Sequence, residues 1–307
     1  MTFDRKTFVI PDKTHFEEKT IVTSGDIVIG DRCLVQYGME TDGRIFIGEH
    51  AIIDGNLKAA HDVRIDIFSD LNGDIKSEGN VHLGEKVRVK GKLSLKGDLD
   101  VGDNVEIEEG FEANGWINIR SPIPMVIYIF IYLTQLLKLG HSEEIERILS
   151  QLEENDGKTI PISKSFLFIP NGSIIGIQKS RVDCNLNVGK NCKILGNYHL
   201  TGNIFIGDNT KIYGSLVCTG DVQLDKRVEV HGNIDSKGDV KIAERSHVIG
   251  DLSGNKIHLS KTAVIDGTLM AKKGVSFEHK SKKDAKEKIK RFEKNVDVAD
   301  EVGEMLD

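Results

Sequence analysis

The sequence is poor in bulky and rigid residues. Its 307 residues include five prolines and one tryptophan, and aromatic residues make up 6%. Glycine is abundant, with 31 residues. This mixture is typical of many short strands joined by tight turns around a core with few large side chains. No Cys-x-x-Cys pair occurs among the four cysteines, which indicates a reducing, cytosolic compartment.

Several functional signatures are also missing. The net charge of −7 indicates no nucleic-acid-binding surface. No apolar stretch of the kind found in a signal peptide follows Met1. The sequence contains no P-loop, dinucleotide-binding fingerprint or nucleophile elbow. We therefore predict a protein that is not an enzyme and has no catalytic residue, no cofactor and no metal.

A repeat of eighteen residues organises the chain. One copy runs over 79–96, and Gly97 begins the next. Steps of eighteen lead back to Gly43 and Gly25, and a second series contains Cys184, Gly202, Gly220 and Gly238. A fixed period of this kind is the signature of a solenoid.

Apolar residues recur at positions 3 and 5, 9 and 11, and 15 and 17 of each repeat. Residues two apart on a strand point to the same side, so each repeat predicts three short strands with two inward side chains each. Three strands per turn describe an all-β fold built of triangular parallel β-helices. Both hands of coil accept an eighteen-residue period.

Polar and glycine residues occupy the predicted corners. Glycine recurs at positions 1, 6 and 13, where we expect sharp corners with positive φ. Aspartate or asparagine recurs at position 2, where we expect bonds from side chain to backbone. The histidines fall on outward positions of different sides, which predicts surface histidines and no metal cluster.

The chain contains an internal duplication. Phe166 to Pro170 resembles Thr7 to Pro11 at an offset of 159, and Cys33 matches Cys192 at the same offset. The predicted domains are a first β-helix over 1–122, an apolar segment and helical hairpin over 123–165, a second β-helix over 166–279 and a charged helical tail over 280–307. The two β-helices can lie coaxially or side by side.

The segment between the repeats is strongly apolar. Pro124 and Gly140 are plausible helix boundaries, although the run 126–132 is also compatible with a strand. Fifteen helical residues span about 22 Å, less than the ~30 Å hydrocarbon core of a membrane. A contact between subunits, packing on the solenoid and attachment to a membrane remain open. The candidate contact residues are Ile127, Tyr128, Phe130, Tyr132, Leu136 and Leu137.

The repeat resembles the sequences of two known protein families. Ile29-Gly-Asp-Arg-Cys and Ile206-Gly-Asp-Asn-Thr resemble the hexapeptide motif of acyltransferases that have a left-handed β-helix. Most other hexads depart from that motif, and no long loop protrudes to build an acyl-CoA site. This transferase is the enzymatic alternative.

The second resemblance covers about 230 residues. Val89-Lys-Gly-Lys-Leu-Ser-Leu-Lys-Gly-Asp-Leu-Asp-Val-Gly and Val230-His-Gly-Asn-Ile-Asp-Ser-Lys-Gly-Asp-Val-Lys-Ile look like the bactofilins, which are polymer-forming cytoskeletal proteins. The resemblance implies a right-handed β-helix and nucleotide-free, end-to-end assembly into cytoplasmic filaments that scaffold other proteins. Two β-helices with an apolar insert depart from the usual single helix and are suggestive of the archaeal branch.

The ends of a β-helix need a partner or a cap, because they expose apolar core and unpaired backbone groups. We therefore expect a homo-oligomer or filament, with a membrane surface and other scaffolded proteins as further partners. A membrane-attached adaptor that uses residues 123–139 is another alternative. The candidate assembly contacts are Phe8, Val9, Ile10, Ile117, Ile119, Phe168, Val275 and Phe277.

Overall fold

The computed structural model describes residues 6–119 and 165–277. Within these residues the chain forms thirty-eight strands and no helix. The strands build a β-solenoid of about twelve turns. The hairpin and the tail expected from the sequence lie outside the described residues.

Three long sheets form the sides of the solenoid, and each contains strands from both repeats. In hydrogen-bonding order, sheet A contains β19 (Ile117–Ile119), β16 (Leu99–Val101), β13 (Val81–Leu83), β10 (Val63–Ile65), β7 (Ile45–Ile47), β4 (Asp26–Ile29), β20 (Phe166–Ile169), β1 (Thr7–Ile10), β23 (Asn185–Val188), β26 (Ile204–Ile206), β29 (Val222–Leu224), β32 (Val240–Ile242), β35 (Ile257–Leu259) and β38 (Val275–Phe277). Sheet B contains β18 (Phe111–Ala113), β15 (Leu93–Leu95), β12 (Ile75–Ser77), β9 (Leu57–Ala59), β6 (Gly38–Thr41), β3 (Thr20–Thr23), β2 (His15–Phe16), β24 (Lys193–Leu195), β27 (Lys211–Tyr213), β30 (Glu229–Val230), β33 (His247–Val248) and β36 (Val264–Ile265). Sheet C contains β17 (Glu106–Ile107), β14 (Arg88–Val89), β11 (Asp70–Leu71), β8 (Ile52–Ile53), β5 (Leu34–Val35), β21 (Ile174–Ile175), β22 (Lys179–Val182), β25 (Asn197–Leu200), β28 (Leu216–Cys218), β31 (Ile234–Ser236), β34 (Leu252–Gly254) and β37 (Leu269–Ala271).

The inward columns are those that the periodicity predicts. Val63 pairs in parallel register with Val81, and Val81 pairs with Leu99. All three side chains are at most 1% exposed. The neighbouring residue on each strand points outward, so the inward aliphatic side chains of successive turns stack into one continuous core.

Side-chain ladders tie the turns together at the corners. The Asp62 carboxylate accepts a hydrogen bond from the Asn80 backbone N–H at 2.8 Å, and the Asn80 side chain accepts one from Asp98 at 2.8 Å. In the second repeat Asn185 accepts from the Asn203 N–H in the same way. The predicted role of the position-2 residues is therefore confirmed: they satisfy backbone donors that the corners leave unpaired.

The corner glycines are needed for a different reason from the one expected. Most of them do not have positive φ, whereas ten residues other than glycine in the described ranges do, including His50 at 54° and Phe68 at 58°. Glycine is required because adjacent turns approach closely. A Cβ on Gly55 would lie 2.3 Å from the backbone nitrogen of Gly38.

At the centre of the solenoid the two repeats exchange strands. The first strand of the first repeat, β1, pairs in parallel with β23 of the second repeat. The first strand of the second repeat, β20, pairs in parallel with β4 of the first. The strands β1 and β20 then meet antiparallel, with Val9 opposite Phe168.

The corner bonds follow the same exchange. The Asp12 carboxylate accepts from the Lys190 N–H at 2.7 Å, and the Asn171 side chain accepts from the Asp31 N–H at 3.1 Å. Both bonds join one repeat to the other. Each sheet is thus parallel on either side of one antiparallel pair at the centre, which is β1 with β20 in sheet A, β2 with β3 in sheet B and β21 with β22 in sheet C. The expectation of purely parallel helices did not include these pairs.

The topology gives the solenoid an approximate twofold symmetry. Sheet B joins the position 15–17 strands of the first repeat to the position 9–11 strands of the second, and sheet C does the reverse. Sheet A alone joins equivalent strands. This exchange of sides is what a twofold axis produces when it passes through the centre of sheet A, perpendicular to the long axis of the solenoid. The repeats therefore lie along one axis with their first turns together, and the last turn of each repeat forms an outer end.

Candidate assembly surfaces

The last turn of the first repeat, residues 97–119, forms what we call the first end. Ile117 continues the inward column of Val81 and Leu99, yet its side chain is 49% exposed. Ile119 is 73% exposed, although Leu83 in the same column is 2% exposed. The difference arises because no further turn of the described chain covers these two side chains.

The last turn of the second repeat, residues 255–277, forms the second end in the same way. Val275 stacks on Ile257 but is 41% exposed, whereas Ile257 is fully buried. Phe277 stacks on Leu259 and is 56% exposed. Each end is therefore a cross-section of the apolar core.

Strand edges surround both cross-sections. Within residues 6–119 and 165–277, the strands β17, β18 and β19 at the first end pair on one side only, as do β36, β37 and β38 at the second. Such edges present backbone N–H and C=O groups that can pair with another strand. The two ends combine an apolar surface with hydrogen-bonding edges, which is the chemistry of strand addition.

Charges at the rim of the first end are largely acidic and exposed. Glu106, Glu108 and Glu109 lie there on the surface. Glu112 forms an ion pair with Lys92 of the preceding turn at 2.9 Å, and this hydrogen bond lowers the pKa of the Glu112 carboxyl. The rim of the second end carries exposed lysines, Lys261 among them.

Other predicted contact residues lie at the centre and not at an end. Phe8 is fully buried and Ile10 is 1% exposed, and both belong to β1 in the exchanged junction. Val9 and Phe168 stand opposite each other on the outward row of sheet A. The interface that these four residues form lies within the chain, so they are not available at a free end.

Apolar side chains also occupy the outward row of sheet A at the central junction, although Phe168 there is only 4% exposed. Phe46 and Phe205, at equivalent positions of the two repeats, lie on the same outward row of sheet A as Val9 and Phe168. Phe205 is 36% exposed. Open grooves flank the junction, one beside Pro11 and the other beside Phe168.

The apolar insert with its candidate contacts Ile127, Tyr128, Phe130, Tyr132, Leu136 and Leu137 lies outside the described residues. Its predicted contact with a subunit or a membrane stays a prediction. Among the residues that the structure describes, no helix is long and apolar enough to span a bilayer.

Trp116 was not among the residues that the sequence singled out. It is the only tryptophan of the chain and is 84% exposed at the first end. Its backbone N–H donates to the Asp98 carboxylate at 2.8 Å, but an indole offers no oxygen to a following turn. In the sequence, Trp116 occupies position 2, where most earlier repeats have aspartate or asparagine. This break in the pattern was the available signal that the ladder of corner hydrogen bonds ends at this turn.

The thiols and tyrosines of the core are structural. The Cys33 thiol donates to the Pro170 carbonyl at 3.0 Å, and the equivalent Cys192 donates to Pro11 at 3.2 Å. Burial raises the pKa of each thiol to about 11. Both thiols are therefore protonated at neutral pH and are poor nucleophiles. Burial also raises the pKa of Tyr198, whose hydroxyl donates to the Leu195 carbonyl at 3.2 Å.

The histidines of the described chain are spread over its surface. His82 lies 3.4 Å from Asp100, and His247 lies 2.8 Å from Asp266, each between successive turns. Burial, followed by the nearby Lys179, lowers the pKa of His199. No group of three histidine, cysteine or acidic side chains within 6–119 and 165–277 has the arrangement of a metal site.

Comparison with known proteins gives no further guide: no protein-family model, no curated protein and no solved structure matches this chain. The fold itself defines the class, a β-solenoid with an exchanged centre. Its most distinctive surfaces are the two apolar ends.

Proposed function

We propose that this chain is a non-enzymatic structural protein that assembles with copies of itself through the two ends of its solenoid. The observation that carries the proposal is the exposure of a column that is otherwise buried. Ile117 and Val275 belong to columns that are at most 1% exposed one turn further in. Contact between ends would return these columns to a core environment and supply partners to the strand edges.

The resemblance of the repeats to the bactofilins supports the same proposal. It adds a right-handed coil, a cytoplasmic scaffold that needs no nucleotide, and other scaffolded proteins as partners. The approximate twofold symmetry is also favourable, because the outer ends are equivalent last turns. The junction of β1 and β20 is an antiparallel contact between equivalent turns of two repeats, and it offers a template for strand pairing between chains.

Sedimentation velocity of the purified full chain tests the proposal. We expect species larger than a monomer whose proportion rises with protein concentration. Ionic strength should be varied over the same series, because exposed charges contribute to the contact. A chain that remains monomeric at every concentration and salt would overturn the proposal.

A further inference from the structure

The two ends are equivalent in fold but opposite in charge. The first end, residues 97–119, contains seven aspartates and glutamates and no lysine or arginine, a formal charge of −7. The second end, residues 255–277, contains four lysines and one aspartate, a formal charge of +3. The basic stretch 280–294, with eight lysines and arginines against three acidic residues, follows the second end in the sequence.

The difference lies where a contact between ends would form. Glu106, Glu108 and Glu109 are exposed in the last turn of the first end. Lys261, Lys272 and Lys273 are exposed in the last turn of the second. These side chains belong to the same last turns as the exposed apolar residues Ile117 and Val275.

We propose that the solenoids join through unlike ends, so that the acidic first end of one copy meets the basic second end of another. This inference rests on the proposed function. Apolar columns and strand edges occur at both ends and do not distinguish like from unlike pairing. Charge distinguishes the two kinds of pairing, because contact between two first ends would bring fourteen acidic residues together without a lysine or arginine.

A consequence follows for the direction of the chains. If unlike ends meet, every copy in an assembly points the same way, from first end to second end. If like ends met, neighbouring copies would point in opposite directions. The approximate symmetry of the solenoid would permit either arrangement, so the charges set the direction.

The response to salt separates the two arrangements in the unmodified protein. Added salt screens the attraction between unlike ends, since the Debye length falls from about 10 Å at 0.1 M to about 3 Å at 1 M ionic strength. We therefore expect association to weaken at least tenfold over this range. Association that strengthens with salt would indicate like ends held apart by repulsion, and would overturn the inference.

Charge reversal provides the second test. The acid-reversed variant Glu106→Lys/Glu108→Lys/Glu109→Lys changes the formal charge of the first end from −7 to −1, and the base-reversed variant Lys261→Glu/Lys272→Glu/Lys273→Glu changes that of the second end from +3 to −3. Each variant alone should associate at least tenfold more weakly than the unmodified chain in sedimentation velocity at 50 mM salt. An equimolar mixture of the two should recover association, because the unmodified first end of the base-reversed variant can meet the unmodified second end of the acid-reversed variant. All six positions are exposed, and unchanged thermal unfolding by circular dichroism confirms that each variant is folded.

The outcomes are distinct. Recovery in the mixture supports pairing of unlike ends. Variants that associate as well as the unmodified chain would overturn this inference and leave end-to-end assembly standing. An unmodified chain that never associates would overturn the proposed function and this inference together.

Discussion

Replacement of one exposed core residue should weaken assembly without unfolding the solenoid. Ile119 ends an inward column and is 73% exposed. Complete burial of an isoleucine side chain contributes about 1.5–3 kcal/mol, so covering the exposed part contributes about 2 kcal/mol. Ile119→Ser removes this contribution, and the association constant should fall roughly thirtyfold per contact.

The fold should tolerate the change. Only the minor part of Ile119 that is already covered contributes to the folded monomer, which amounts to about 0.5 kcal/mol. Thermal unfolding should therefore shift by no more than a few degrees. Ile52→Ser is the matched control, because Ile52 is 40% exposed on the side of the solenoid in β8 and not at an end.

Two readouts apply to both variants. Sedimentation velocity over a concentration series gives the association constant. Emission from Trp116, the only tryptophan of the chain, reports on the first end directly, and assembly should move its maximum to shorter wavelength. The reasoning is refuted if Ile119→Ser associates like the unmodified chain, or if Ile52→Ser weakens association equally.

Three further predictions concern the fold. Gly55→Ala should lower the free energy of unfolding in denaturant by about 2–3 kcal/mol, because the new Cβ would lie 2.3 Å from the Gly38 nitrogen. The control Gly110→Ala meets no atom within 4 Å but has a φ of 79°, so it should lower that free energy by only about 1 kcal/mol, and equal losses would contradict the explanation by close approach. Phe8→Ala should cost about 3–5 kcal/mol and reduce hydrogen-exchange protection in β23 of the second repeat as well as in the first repeat, whereas loss confined to the first repeat would contradict the strand exchange. Burial raises the pKa of Cys33 and Cys192 to about 11, so both thiols stabilise the fold fully below the pKa of an unfolded thiol, which is about 8.5. This stability is lost as the pH rises towards 11, and the urea midpoint should fall over pH 9–11. A level midpoint, or rapid alkylation of these thiols in the folded chain at pH 8, would contradict the burial.

The sequence predicted the local rules of the solenoid well, because stacking repeats every side chain environment from turn to turn. The inward columns and the corner ladders both follow from spacing, and so does one turn that is a residue shorter than the others. Val240 indeed pairs with Ile257, seventeen residues on. The positions of the corner glycines were also predictable, but the reason that glycine is required at them was not. Close approach of adjacent turns is a property of the stack, which a single repeat does not reveal.

The exchange at the centre was not predictable from the pattern. Phe8 and Ile10 have the same apolar alternation as Leu167 and Ile169, so either first strand fits either stack. The pairing of Thr7 with Asn185 joins positions 178 residues apart, and no local signal marks such a contact. Consequently the sequence placed Phe8 and Phe168 at candidate ends, whereas the fold buries them at the junction.

The end residues Ile117, Ile119, Val275 and Phe277 could be identified because the repeat stops after them. Their exposure agrees with that identification, while their contact with another copy stays a prediction. The opposite charge of the ends was also visible in the sequence. Its meaning depended on the exchanged centre, which makes both ends last turns and therefore comparable surfaces.

Electron microscopy of the full chain in negative stain tests the central claim most directly. Fourteen strands of sheet A at about 4.8 Å each give a solenoid roughly 65 Å long. The account predicts strings of such rods joined end to end with this repeat. Isolated rods at every concentration, or rods that associate only side by side, would contradict it.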